Sequence, residues 1–119
     1  MEYTVDYFIK KFSKIPWYKW NTGTTTRNTF FGLIETHCAI GFCKSKYNYE
    51  INEETEALGT ILSFLYKYEE YKLSYIWMIN DGKLLGGVKD EYKSQIESCN
   101  SPKSRILKAL NIVKTYELA

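Results

Sequence analysis

Three segments of the chain place apolar residues at three- and four-residue intervals, and this spacing constrains the fold more than any other feature of the sequence. The first segment spans residues 4–15, the second begins after Asn52, and the third runs from Pro102 to about Glu117. Side chains at these intervals share one face of an α-helix. Each segment is therefore predicted to form an amphipathic helix whose apolar face packs into a core.

Residues that favour helix ends stand at the ends of these segments. Thr4, Asn52 and Ser101 can each accept a hydrogen bond from the first helical turn as N-caps. Pro102 suits the first helical position, where the N–H that proline lacks would have no partner. Pro16 is expected to end the first helix, because proline disfavours the α conformation of the residue before it.

The remaining segments have weaker patterns. Residues 22–36 are rich in Thr and Asn and predict a loop or hairpin, residues 37–44 suit a short buried helix, and residues 71–79 fit a helix or a strand before a turn at 80–82. A length of 119 residues is that of one domain. We expect a mostly α (α+β) fold, a compact single domain over residues 1–119 with about four helices and a small irregular β-hairpin or strand.

The aromatic content is too high for a core of this size. The chain has 11 Tyr, 6 Phe and 3 Trp, or 17% of its residues, so some rings must face solvent or a partner. Trp17, Tyr18 and Trp20 fall within four residues, and Arg27 and Phe30 follow in the polar segment. These five residues are predicted to form a partner-binding surface, either a protein hot spot or a platform for single-stranded bases. The alternative places Trp17 and Trp20 in the core.

The charge is close to balanced, at a formal +2, and only two of the 16 basic residues are Arg. A protein that reads base sequence uses Arg more often, so specific nucleic-acid recognition is disfavoured, while direct contact with a phosphate backbone stays open. Lys103, Arg105 and Lys108 lie near the start of the last helix, where the helix dipole does not favour them. They are candidate contacts for phosphate or an acidic partner.

Two absences set the expected location. No apolar run approaches the roughly 20 residues of a membrane span, so no membrane partner is expected. The first residues also lack the basic and apolar regions of a secretory signal, which makes the cytoplasm the expected compartment.

Catalytic chemistry has one weak candidate. His37 and Cys38 supply the base and the thiol of a thiol-dependent hydrolase, but adjacent residues point in different directions in helices and strands. The spacing of Cys38, Cys43 and Cys99 fits neither a disulfide framework nor a zinc site, and the glycines form no phosphate-binding loop. We therefore expect no catalytic residue, no metal and no cofactor, with the thiol hydrolase as an alternative.

Four short motifs resemble an uncharacterised family of small bacterial and phage-encoded domains. They are Trp20-Asn21-Thr22-Gly23, Cys38-Ala39-Ile40-Gly41, Asn80-Asp81, and the helix opening at Ser101-Pro102 and running through Leu110. The resemblance implies a compact helical domain and no reaction, because the function of that family is unknown.

Together these features suit an accessory protein of a mobile element. We expect a non-enzymatic partner-binding protein, most concretely a phage or mobile-element inhibitor of a bacterial defence complex, anti-CRISPR-like, that acts by occlusion. Its partner would be a protein or protein–nucleic-acid complex of the host. Besides the thiol hydrolase, a Lys- and aromatic-rich module that binds RNA or single-stranded nucleic acid is the other alternative.

Overall fold

The described residues of the computed structural model contain six α-helices, one 3₁₀ helix and a two-stranded sheet. The structure describes residues 3–23, 26–29, 34–43, 52–68, 72–83 and 87–119. In chain order the elements are α1 (Val5–Ser13), the 3₁₀ helix (Trp17–Lys19), β1 (Thr26–Thr29), β2 (Ile34–His37), α2 (Ala39–Cys43), α3 (Glu53–Ser63), α4 (Lys72–Asp81), α5 (Asp90–Glu97) and α6 (Pro102–Thr115).

The three amphipathic helices begin at the predicted caps. The Thr4 hydroxyl accepts a hydrogen bond from the Tyr7 backbone N–H at 3.1 Å, and the side-chain Oδ1 of Asn52 accepts one from the Thr55 N–H at 2.8 Å. Ser101 and the third residue of α6 each accept from the other's backbone N–H, which forms a capping box. The local sequence therefore determines where these helices start.

The mostly helical character is confirmed, but the described part holds six helices rather than about four. One difference is α4, which the sequence left between helix and strand. Its buried side chains, Tyr75, Ile76, Ile79 and Asn80, share the face that packs against α3 and α6. Other apolar residues of α4, such as the exposed Trp77, lie outside that face. Tertiary packing thus fixes a helix that no single apolar stripe indicates.

The β contribution is a small antiparallel pair. Thr26 pairs with His37 and Thr29 with Ile34, so β1 and β2 run antiparallel over four residues each. A further bridge pairs Trp20 with His37, which ties the segment after the 3₁₀ helix to the end of β2.

The core lies between α1, α3, α4 and α6, and α5 packs against α6. Its largest fully buried side chains include Phe8, Phe12, Leu58, Leu62, Ile76, Ile79, Ile96, Ile106 and Leu110. The apolar stripe predicted for the last helix is therefore the face that α6 turns inward. None of the described helices has both the length and the apolarity to cross a bilayer.

A fully buried amide, Asn80, joins three parts of the chain at the end of α4. Its Oδ1 accepts a hydrogen bond from the Ala39 N–H at 3.0 Å, and its Nδ2 donates to the Asn21 carbonyl at 2.9 Å. The next residue, Asp81, accepts from the Gly23 N–H at 3.1 Å. The turn at 80–82 thus positions both the segment after Trp20 and the start of α2.

Arg105 closes the same helix end from the opposite side. Its guanidinium donates to the Asn80 carbonyl at 2.8 Å and to the Ile79 carbonyl at 3.2 Å, in the last turn of α4. The Ile79 carbonyl also accepts from the Gly82 N–H at 3.2 Å. Gly82 has φ +70°, and a Cβ there would lie 3.0 Å from Arg105 Nε. Arg105 is therefore held within the fold, which differs from its predicted role as a partner contact.

Replacing Leu110 with alanine is expected to lower the free energy of unfolding by about 2–5 kcal/mol, because a fully buried leucine leaves a cavity. Urea denaturation of the variant measures this, with the exposed Lys108→Ala as a matched control on the same helix. An unchanged midpoint for Leu110→Ala would contradict the core position of α6.

Replacing Arg105 with alanine is expected to lower the free energy of unfolding by about 2 kcal/mol, because the carbonyls at the end of α4 lose their charged donor. Lys103→Ala is the control, since Lys103 Nζ donates only an exposed hydrogen bond, to the Ser13 carbonyl, among the described contacts. Equal urea midpoints for the two variants would contradict the anchoring role of Arg105.

Candidate binding site

The aromatic segment after α1 forms a tight turn with one exposed side. Pro16 precedes the 3₁₀ helix, and its carbonyl accepts a hydrogen bond from the Lys19 N–H at 3.1 Å. The Trp17 side chain is 73% exposed and that of Tyr18 50%, and their rings meet edge to face at 6.0 Å. Two large rings therefore stand on the surface in a segment whose backbone is held by hydrogen bonds.

Trp20 lies in the core rather than on the predicted surface. It is only 7% exposed, and its ring lies 4.8 Å from the Phe42 ring and 5.4 Å from the Phe12 ring. Its indole N–H donates to the Ile15 carbonyl at 3.4 Å. The physical reason is that Phe12 and Phe42 offer an aromatic pocket at this point, so Trp20 anchors the turn that displays Trp17.

The remaining predicted contacts are Arg27, Phe30, Lys103 and Lys108. The Arg27 backbone pairs with Thr36 in the hairpin, while its side chain and all of Phe30 lie outside the described residues. Lys103 donates to the Ser13 carbonyl at 3.1 Å, and Lys108 is exposed on α6. Of the predicted surface, the described structure brings together Trp17 and Tyr18.

An open cleft of about 740 Å³ lies beside Tyr18. It runs between the end of α1, the 3₁₀ helix and the end of β2. Its described lining residues are Lys14, Ile15, Pro16, Tyr18, Lys19, Glu35, His37 and Phe42. Sequence reasoning missed this cleft, because Lys14 and Lys19 come from one local segment while Glu35, His37 and Phe42 come from later ones.

The hairpin contributes a contact between a histidine and a carboxylate to the cleft. His37 Nε2 and Glu35 Oε1 are 2.9 Å apart, as expected for residues two apart on one face of a strand. The imidazole also lies 5.2 Å from the Phe42 ring. One nitrogen of His37 is therefore engaged with a carboxylate at the lining of the cleft.

The surroundings of Cys38 and Cys43 differ from those of a hydrolase nucleophile. Cys38 and Cys43 are buried, and burial raises the pKa of both, for Cys43 with a contribution from the Glu54 carboxylate. A thiol hydrolase needs the opposite shift, because the thiolate is the nucleophile. Within the described ranges, no group of three or more His, Cys, Asp or Glu side chains is arranged to hold a metal.

No family model, no curated protein and no solved structure matches this chain. The functional argument therefore rests on the sequence and structure of this chain itself.

Alkylation at pH 7 is expected to label Cys99 before Cys38 and Cys43, because Cys99 is partly exposed and the raised pKa of the other two leaves less thiolate. Mass spectrometry after timed treatment with iodoacetamide measures the order. If Cys38 is labelled fastest, the result contradicts this expectation and supports the thiol-hydrolase alternative. A denatured sample is the control for the intrinsic reactivity of each thiol.

Proposed function

We propose that this protein is a non-enzymatic binding protein and that Trp17 and Tyr18 are the centre of its contact surface. The observation that carries the proposal is the 73% exposure of Trp17 on a turn fixed by Pro16 and the buried Trp20. Leaving the apolar surface of an indole in water is unfavourable in free energy, so covering it with a partner stabilises the complex.

The rigidity of the turn supports a hot spot. Trp20 donates its backbone N–H to the Trp17 carbonyl at 3.2 Å, and the Asn21 N–H donates to the His37 carbonyl at 2.8 Å. Binding therefore orders little backbone around Trp17, which removes part of the entropy that association normally loses. Trp and Tyr are also the residues most enriched among binding hot spots.

In its most concrete form the proposal is an inhibitor, encoded by a phage or mobile element, that occludes a surface of a bacterial defence complex. Its support is the small chain, the surplus of aromatic residues and the motifs from Trp20 to Leu110 that resemble phage-encoded domains. An inhibitor that blocks a surface sterically needs only a stable fold and a surface that binds the target. The helical core and the exposed rings of Trp17 and Tyr18 fit these two needs.

The thiol-hydrolase alternative has less support, since Cys38 is buried with a raised pKa and His37 Nε2 faces Glu35. The nucleic-acid alternative shares Trp17 with the leading proposal as a stacking ring. Nucleic-acid binding would need a row of cationic side chains, whereas the described lining of the cleft beside Tyr18 has two lysines.

Replacing Trp17 with alanine is expected to weaken partner binding by about 2 kcal/mol or more, a rise in Kd of roughly 30-fold. The partner is first captured from a bacterial lysate and identified, and its affinity for the purified variants is then measured by calorimetry. The free energy of unfolding should stay nearly constant, because the Trp17 ring packs little against the core.

Trp77→Ala is the control, because Trp77 is another exposed tryptophan, at 41%, but lies on α4 rather than on the 3₁₀ helix. Equal losses of affinity for the two variants, or none for Trp17→Ala, would contradict the proposed surface.

A further inference from the structure

We propose that the cleft beside Tyr18 receives an acidic segment of the protein partner, with carboxylate side chains held between Lys14 and Lys19. The inference rests on the proposed binding function and adds the chemistry of what is bound.

The charges around the cleft favour an anionic occupant. Lys14 and Lys19 are both exposed, and neither forms an ion pair with a carboxylate in the part of the chain that the structure describes. Glu35 is the one acid among the described lining residues, and its carboxylate lies 2.9 Å from His37 Nε2. Two uncompensated ammonium groups thus face a space whose only described carboxylate already has a partner.

The surfaces between the two lysines are apolar. Ile15, Pro16 and the Phe42 ring line the cleft, and Tyr18 adds an aromatic face with a hydroxyl group. A volume of about 740 Å³ is within the range of sites that bind ligands the size of several side chains. Such a lining suits a segment in which Glu or Asp alternates with aliphatic residues, since the apolar stems can pack while the carboxylates reach the lysines.

The same features favour a peptide over a nucleic acid. If the two lysines neutralise two phosphates of a single strand, the logarithm of the binding constant falls with the logarithm of the salt concentration with a slope of only about −1.4. Proteins that contact many phosphates have much steeper slopes. Glu35 adds a repulsive charge that a continuous polyanion meets, whereas a peptide can place an apolar or polar residue opposite it. Arg105 lies outside the described lining of the cleft.

The test uses a fluorescein-labelled peptide of alternating Glu and Leu, with an alternating Lys and Leu peptide and a single-stranded oligonucleotide as competitors of different chemistry. Anisotropy titration of the wild-type chain should give at least tenfold tighter binding of the Glu peptide than of the Lys peptide. The double variant Lys14→Gln, Lys19→Gln should lose at least tenfold, and Lys83→Gln, Lys108→Gln should lose less than twofold. The control lysines are equally exposed and do not line the cleft.

Glu35→Gln gives the sign of the occupant's charge, because it removes negative charge from the lining without removing a lysine. Binding of the Glu peptide should strengthen about threefold. Weaker binding, equal affinities for the wild-type chain and the cleft double variant, or tighter binding of the oligonucleotide would each overturn the assignment of an acidic segment.

Retention of the lysate partner separates this inference from the proposed function. A partner lost with Trp17→Ala and also with the cleft double variant supports both. A partner lost with Trp17→Ala but kept by the double variant overturns the acidic cleft and leaves the binding function standing. A partner kept by both variants overturns both.

Discussion

The position of the exposed turn at Trp17 and Tyr18 depends on the buried amide of Asn80. Burying an amide is unfavourable unless its donor and acceptor are paired, and here one side chain pairs with Ala39 at the start of α2 and with Asn21 just after Trp20. Arg105 satisfies the carbonyls of the same turn from α6. The irregular part of the chain is thereby attached to two core helices.

Aromatic packing completes that attachment on the other side. Phe12 from α1 and Phe42 from α2 enclose the ring of Trp20, and its indole N–H pairs with a carbonyl at the end of α1. The 3₁₀ helix is thus fixed at both ends, by Pro16 before it and by Trp20 after it. The cleft exists because the hairpin, held at His37, stands next to this fixed turn.

The sequence predicted what depends on neighbours in the chain. The caps at Thr4, Asn52 and Ser101 could be read directly, since a cap needs only the residues of the following turn. The sequence could not show whether Trp17 or Trp20 faces inward, because this depends on packing against Phe12 of α1 and Phe42 of α2. The cleft could not be predicted for the same reason. Lys14 and Lys19 are close in sequence, but only the fold of the hairpin brings Glu35 and His37 next to them.

The division between Trp17 and Trp20 also has an evolutionary consequence. Trp20 belongs to the core, so most of its replacements would be removed by selection for folding, whereas Trp17 and Tyr18 contribute little to the interior. Under the proposed binding function, descendants of this chain can therefore replace Trp17 and Tyr18 and bind new partners while keeping the same fold. In a contest between a binding protein and a changing target, variation is expected to accumulate at these two positions first.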